Sequence, residues 1–336
     1  MTSTGQSGQS GQVCSKCATS ASQLEPCEGS LTSETGSYSC SSNMDRSDQR
    51  TPGKPREYKI YPNVIMVMSH SERLDEFFPN WISKSMNEYK PYDLNMPMVL
   101  PVHRPPQAYQ GDPPITNTGD ILARLIGRGM YSTGYVPDII YSSPSLRCLQ
   151  TAYAVKQVSK SKARIRVEPG LFDNFNNYPV GLPEFANAQQ RAQFDVDESY
   201  EPHTRLEDLV SCKAESNEVF NMRVRHSLVR ISKMFEVSSA KKDQLILIVA
   251  DSNTFDIAAG TFAKKGRPST DVDLCWDKVK IPHGSLLVLE RVEGRHGWTP
   301  NLYAIPPVNY RNLSTQFDVG FVLREGERKQ QAAAAK

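Results

Sequence analysis

The chain has 336 residues, 38% hydrophobic and 23% charged, with a formal net charge of +2. That balance is ordinary for a globular protein, and no basic block supplies an electrostatic footprint for nucleic acid. No apolar stretch approaches the roughly 18 residues needed to span a bilayer. The opening "MTSTGQSGQSGQ" lacks the charged and apolar regions of a signal peptide, so cytoplasm is the default compartment, with the nucleus not excluded. Seven cysteines, an odd number, fit a reducing compartment better than a closed disulfide framework.

In chain order, residues 1–57 are dominated by Ser, Thr, Gly and Gln and hold too few apolar groups to offset their ordering entropy, which predicts a disordered tail. Cys14, Cys17, Cys27 and Cys40 fall in it; a zinc knuckle is weighed there against unstructured thiols, and the flanks lack the side chains to pack a mini-core. Short β-branched runs follow at 63–68, 137–143, 164–167, 245–250 and 285–292, separated by segments of helical period at 116–131, 143–159, 215–236 and 253–265. Thr116 with Gly119 opens the first helix, Ser143 as N-cap with Pro144 at N1 opens the second, and Ser216 opens the third. Val219, Met222, Val229 and Phe235 mark the expected buried face of that third helix.

Continuous apolar runs such as "LILIVA" suit strands buried on both faces. The alternation predicts one α/β domain over 58–322, a doubly wound, mostly parallel sheet with flanking helices. Residues 172–212, rich in Pro, Asn, Glu and aromatics without period, predict a lid-like insert, and 323–336 a C-terminal tail with nothing to dock.

Ligand sites in open α/β sheets lie beyond the carboxyl ends of the strands, where His70, Ser142 and Asp251 fall. Taken alone, each candidate has a plain structural reading: His70 as a turn residue, Arg147 as a surface arginine on a capped helix, Asp251 as an acid near a helix start. Together, "SHSERLDEFFPNW", "LNMPMVLP", "DPPITNTG", "YSSPSLRCLQTA", "IRVEPGLFD" and "LILIVA" resemble, in order, the histidine phosphatase (phosphoglycerate mutase-like) superfamily. The resemblance is closer still to the C-terminal phosphatase domain of the TULA/Sts ubiquitin-associated protein tyrosine phosphatases.

That resemblance implies a phosphohistidine intermediate on His70, phosphoryl oxygens held by Arg73 and Arg147, and a proton donor at Asp173. The family has glutamate there, so the reach is shorter by one methylene, roughly 1.5 Å. Two departures weigh more. The motif's leading arginine is Ser69, and the pocket's second histidine is Asp251; the motif glycine is also Ser71. Two unit charges about 4 Å apart at an effective dielectric near 20 interact by roughly 4 kcal/mol, so an ionised Asp251 would erase much of phosphate binding, and it is expected to pair with Arg73 or Arg147 instead.

The expectation is therefore a histidine phosphatase fold with a degraded pocket, a pseudophosphatase with a binding or regulatory role. The alternative is an active phosphomonoesterase or protein phosphatase acting through His70, Arg73, Arg147 and Asp173. Phosphotyrosine recognition without turnover is a third reading, and a Ser69, His70, Asp251 hydrolase triad is disfavoured because Ser69 and His70 are chain neighbours. No reading implies a metal or organic cofactor. The implied partner is a phosphorylated protein or a small phosphate ester, with no nucleic acid and no membrane span; homo-oligomerisation is left open.

Overall fold

The expected strands form, and their register sets the site. In the computed structural model, which describes residues 63–86, 88–212, 214–233, 244–263, 270–291, 297–310 and 313–324, the sheet order is β3-β2-β4-β1-β5-β6. β1 (Asn63–Ser69), β2 (Ile139–Ser142), β3 (Ile165–Val167) and β4 (Gln244–Ala250) run parallel. β5 (Leu286–Arg291) and β6 (Trp298–Pro300) continue the sheet antiparallel. The expected tail over 1–57, with its four cysteines, and residues 325–336 lie outside the described residues, as does Phe235.

Alternation along β1 sends Val64, Met66 and Met68 into one core and Ile65 and Val67 into the other. The first core is completed by α1 (Asn117–Thr133) and α2 (Leu146–Ser159), the second by α3 (Asn217–Ser232), α4 (Ser252–Phe262) and α5 (Asp271–Lys280). Both faces of the sheet are thus covered, which is why these strands read as unbroken apolar runs. Ser69 pairs with Ala250 and Ser142 with Val249, so β1, β4 and β2 end level. The next residues, His70, Asp251 and Ser143, begin the loops at one end of the sheet.

Helix starts follow the sequence in two cases of three. Thr116 accepts from the Gly119 N–H at 2.9 Å, and Ser216 from Val219 at 3.2 Å. The second helix starts later than expected: its N-cap is Ser145, not Ser143, and its free Leu146 N–H donates to Asp112 Oδ1 at 2.7 Å. Asp112 is fully buried and also pairs with Arg104 at 3.0 Å, so a remote acid, not a neighbouring hydroxyl, caps this helix.

The expected face of α3 is corrected: Val219, Met222 and Val229 are exposed, while Phe220, Val224, Leu228 and Ile231 are buried. α5, opened by a Thr270/Asp273 capping box, was not among the expected helices. The expected boundary at 322 also moves, because Leu323 and Arg324 are buried and Arg324 Nη2 bonds Asp256 Oδ2 at 2.8 Å; a single turn, α6 (Val319–Val322), leads into them. Residues 172–212 fold as short turns around a separate cluster of Phe172, Phe175 and Leu209. Among the described residues, no helix is long and apolar enough to cross a membrane.

Candidate functional site

His70 leaves β1 with its backbone fixed on both sides: its N–H donates to Ala250 O at 2.9 Å, and its carbonyl accepts from Gly284 at 3.0 Å. The ring is 4% exposed, with Nδ1 2.8 Å from the Ser71 carbonyl. That contact requires a proton on Nδ1 and leaves Nε2 with a lone pair in the neutral ring. Burial pushes the His70 pKa down to about 4 against the opposing pull of Asp251, so the ring is neutral at physiological pH.

Ser71, where the resemblance gives glycine, is accommodated: its Oγ donates to Gly119 O at 2.6 Å and its N–H to Thr151 Oγ1 at 2.9 Å. Gly119 permits this approach, since a Cβ there would lie 2.8 Å from the Glu72 carbonyl oxygen.

Arg147, in the first turn of α2, is fully buried. Its Nε and Nη2 lie 2.8 and 2.7 Å from Asp251 Oδ1, and Nη2 donates to Tyr178 Oη at 2.8 Å. Asp251 stands at the N-cap of α4 yet makes no capping bond with its side chain. It turns instead toward Arg147 and toward His70 Nε2, 3.3 Å away. Burial alone would raise its pKa, but the Arg147 charge holds it well below the usual carboxylate range. Asp251 is thus a helix-start acid by position, with its side chain given to Arg147 and not to the cap.

Asp173 is also buried, 3.9 Å from Arg147 Nη2, and accepts from the Asn174 N–H at 2.8 Å and Asn177 Nδ2 at 3.0 Å. Burial and the Asp251 charge push its carboxyl up. His70, Arg147, Asp173 and Asp251 therefore converge at one end of the sheet. Arg73 does not join them fully: it lines the same cleft, but Nε and Nη2 reach Asp75 at 2.9 and 2.7 Å. Asp251 thus pairs with Arg147 and not with Arg73. Ser69 Oγ is buried and has no hydrogen-bond partner among the described residues, so the Ser–His contact of a triad is absent there.

One residue was missed. His283 lies with its ring centroid 4.9 Å from that of His70, and its Nε2 is 2.5 Å from Glu76 Oε2. Burial opposes ionisation of Glu76, but His283 and then Arg73 bring its pKa down to about 2. The cleft bounded by these groups measures about 290 Å³. A groove of about 780 Å³ between 98–104 and 187–193 is larger, but none of these converging groups lines it. In the cleft and the layer behind it, two guanidinium groups, Arg73 and Arg147, face the carboxyls of Asp75, Glu76, Asp173 and Asp251. Among the described residues, no group of three or more His, Cys, Asp or Glu is arranged to hold a metal ion.

A neutral histidine at the end of β1, a buried arginine in the first turn of α2 and the carboxyls of Asp173 and Asp251 thus meet at one end of the sheet. The chain belongs to the histidine phosphatase superfamily, branch 1, whose profile matches residues 103–300, more than half of the chain but beginning after His70. It is 36% identical over 238 residues to the Ecdysteroid-phosphate phosphatase of Drosophila melanogaster, covering 68% of this chain and 31% of that protein. It is 32% identical over 231 residues to the human Ubiquitin-associated and SH3 domain-containing protein B, covering 65% of this chain and 34% of that one. The chain thus spans about a third of the length of these curated relatives. The crystal structure of the ecdysone phosphate phosphatase from Bombyx mori, in complex with tungstate, superposes with a TM-score of 0.64 at 24% identity, covering 76% of this chain and 98% of that one. That likeness establishes the shared fold.

Proposed function

We propose that this chain is a catalytically silent histidine phosphatase, a pseudophosphatase with a binding or regulatory role, in which Asp251 stands where a substrate phosphoryl group would bind. One observation carries the reading: Asp251 Oδ1 lies 2.7 and 2.8 Å from two nitrogens of Arg147 and 3.3 Å from His70 Nε2. A phosphoryl oxygen awaiting attack by His70 needs the same neighbours. Held at about 4 Å from that carboxylate, a phosphate dianion would meet roughly twice the 4 kcal/mol of a singly charged pair at an effective dielectric near 20. Loss of the motif's leading cation at Ser69 acts in the same direction, and the bidentate bond of Arg73 to Asp75 takes up the other guanidinium.

The alternative, a working phosphomonoesterase through His70, Arg73, Arg147 and Asp173, has its own support. His70 keeps the tautomer a nucleophile needs, with Nδ1–H on the Ser71 carbonyl. The names of the relatives would then point to a phosphate ester as substrate. An aryl phosphate assay separates the two. No turnover above that of the His70→Ala control is expected, whereas the Ser69→Arg/Asp251→His double variant should recover turnover. Hydrolysis by the native chain that vanishes with His70→Ala would overturn the silent reading.

A further inference from the structure

Replacing phosphate by a carboxylate alters what the cleft accepts as well as what it rejects. Asp251 lines the cleft and is 3% exposed; its Oδ1 is engaged by Arg147, while its Oδ2 has no hydrogen-bond partner among the described residues. His70 Nε2 faces Asp251 Oδ1 at 3.3 Å, and with Nδ1–H committed to the Ser71 carbonyl the neutral ring has only a lone pair to present there. Two acceptors thus confront each other with no proton between them. Glu76 adds a carboxylate at the rim, its Oε2 bonded to His283 and its Oε1 left 3.7 Å from Arg73, the one guanidinium lining the cleft, which is turned into Asp75. Arg147, whose Nη1 also lacks a partner among the described residues, is fully buried and does not line the cleft. Beside the donors of His283, Ser252 and Asn253, the cleft thus holds two unmatched acceptors, His70 Nε2 and Asp251 Oδ2, and a buried acceptor left unmatched is costly.

We infer that this cleft binds a primary ammonium group, its three N–H donors shared among His70 Nε2, Asp251 Oδ2 and the Glu76 carboxylate. An ammonium has three donors and no acceptor, the complement of this set. At about 290 Å³ the cleft is the size of one side chain or a small amine, not of a drug-sized ligand. The inference rests on the reading that Asp251 fills the phosphate position. A free amine and a lysine side chain of a protein partner share this chemistry.

The test is a thermal melt of the full chain at neutral pH with n-butylammonium, with Nα-acetyl-lysine amide and with inorganic phosphate, each against sodium chloride at equal ionic strength. Butylammonium is expected to stabilise, shifting the unfolding equilibrium by about 100-fold at 100 times its dissociation constant. Glu76→Gln, at a partly exposed position, should weaken that affinity by roughly 10-fold, the scale of one charge-assisted bond. Tighter binding of the lysine amide supports a protein partner, and equal binding supports a free amine. No shift with either amine, or an unchanged shift in Glu76→Gln, overturns the ammonium site while leaving the silent-phosphatase reading in place. Stabilisation by phosphate without stabilisation by amine overturns both.

Discussion

Replacing Asp251 with asparagine removes one charge and almost no volume. Arg147 would keep Tyr178 Oη at 2.8 Å and the more distant Asp173 at 3.9 Å, but would lose the nearer of its two counter-charges among the described residues while remaining fully buried. Removing one partner of a buried ion pair costs about 3–5 kcal/mol, and asparagine, which still offers an acceptor, belongs at the lower end. For a domain of this size each kcal/mol moves the melting temperature by about 2–4 °C, so the variant should melt roughly 6–12 °C lower in a phosphate-free buffer. Orthovanadate should then restore part of the loss, since an oxyanion entering the pocket meets the freed guanidinium, whereas the native chain should show no vanadate shift. Differential scanning fluorimetry with and without vanadate reads both effects. A variant that melts within about 1 °C of the parent and ignores vanadate would refute the view that Asp251 serves as the anion of this pocket.

Three further outcomes follow from particular side chains. Because the His70 pKa is pulled down to about 4 in the folded protein, the unfolded chain binds more protons between pH 6.5 and 4, so stability falls across that interval by roughly 3 kcal/mol; His70→Asn should flatten that limb in urea titrations run at successive pH values. Asp277 is fully buried, neither carboxyl oxygen has a partner among the described residues, and burial with the nearby Asp256 charge pushes its pKa up to about 9. Its contribution is complete below the ordinary carboxylate pKa and is lost as pH rises toward 9, so Asp277→Asn should remove that slope and stabilise the protein near pH 8 by a few kcal/mol, roughly 2–4; a variant no more stable than the parent at pH 8 would contradict this. Gly119→Ala would set a Cβ 2.8 Å from a backbone oxygen of Glu72 and 3.2 Å from Ser71 Oγ, with an expected loss of about 1–3 kcal/mol by denaturant melt.

The sequence places His70 and Asp251 at one end of the sheet because both follow unbroken apolar strands, and parallel strands end on the same side of a sheet. His283 escaped for the converse reason. It precedes β5, and only the antiparallel pairing of Leu286 with Met68 brings the start of that strand to the end of β1; with β5 read as one more parallel strand, His283 falls at the far edge. Gly284, at φ +78°, completes the turn that sets His283 beside His70. The fork of Arg73 onto Asp75 was not expected, because the three acids around the arginine in "ERLDE" do not say which pairs form. The buried face of α3 was misjudged because the helix carries two apolar stripes. Phe220, Val224, Leu228 and Ile231 follow the helical period as well as Val219, Met222 and Val229 do, and only packing against β4 and α4 chooses between them.

The burial of Arg147 ties the two main departures together. A fully buried guanidinium needs an anion, and where the anion is a substrate that comes and goes, the empty pocket must tolerate the unpaired charge. Here the anion is carried by the chain itself, on a backbone anchored at the start of α4 by the Phe255 N–H bond to the Asp251 carbonyl at 2.9 Å. A tethered carboxylate competes at an effective concentration far above that of any free phosphate ester. With Asp251 in place, an arginine at position 69 would have no phosphate to hold, and the small Ser69 leaves no second buried cation to neutralise. Under the proposed silent reading, Ser69 and Asp251 are therefore one electrostatic change, in which a buried carboxylate takes over the counter-charge of Arg147.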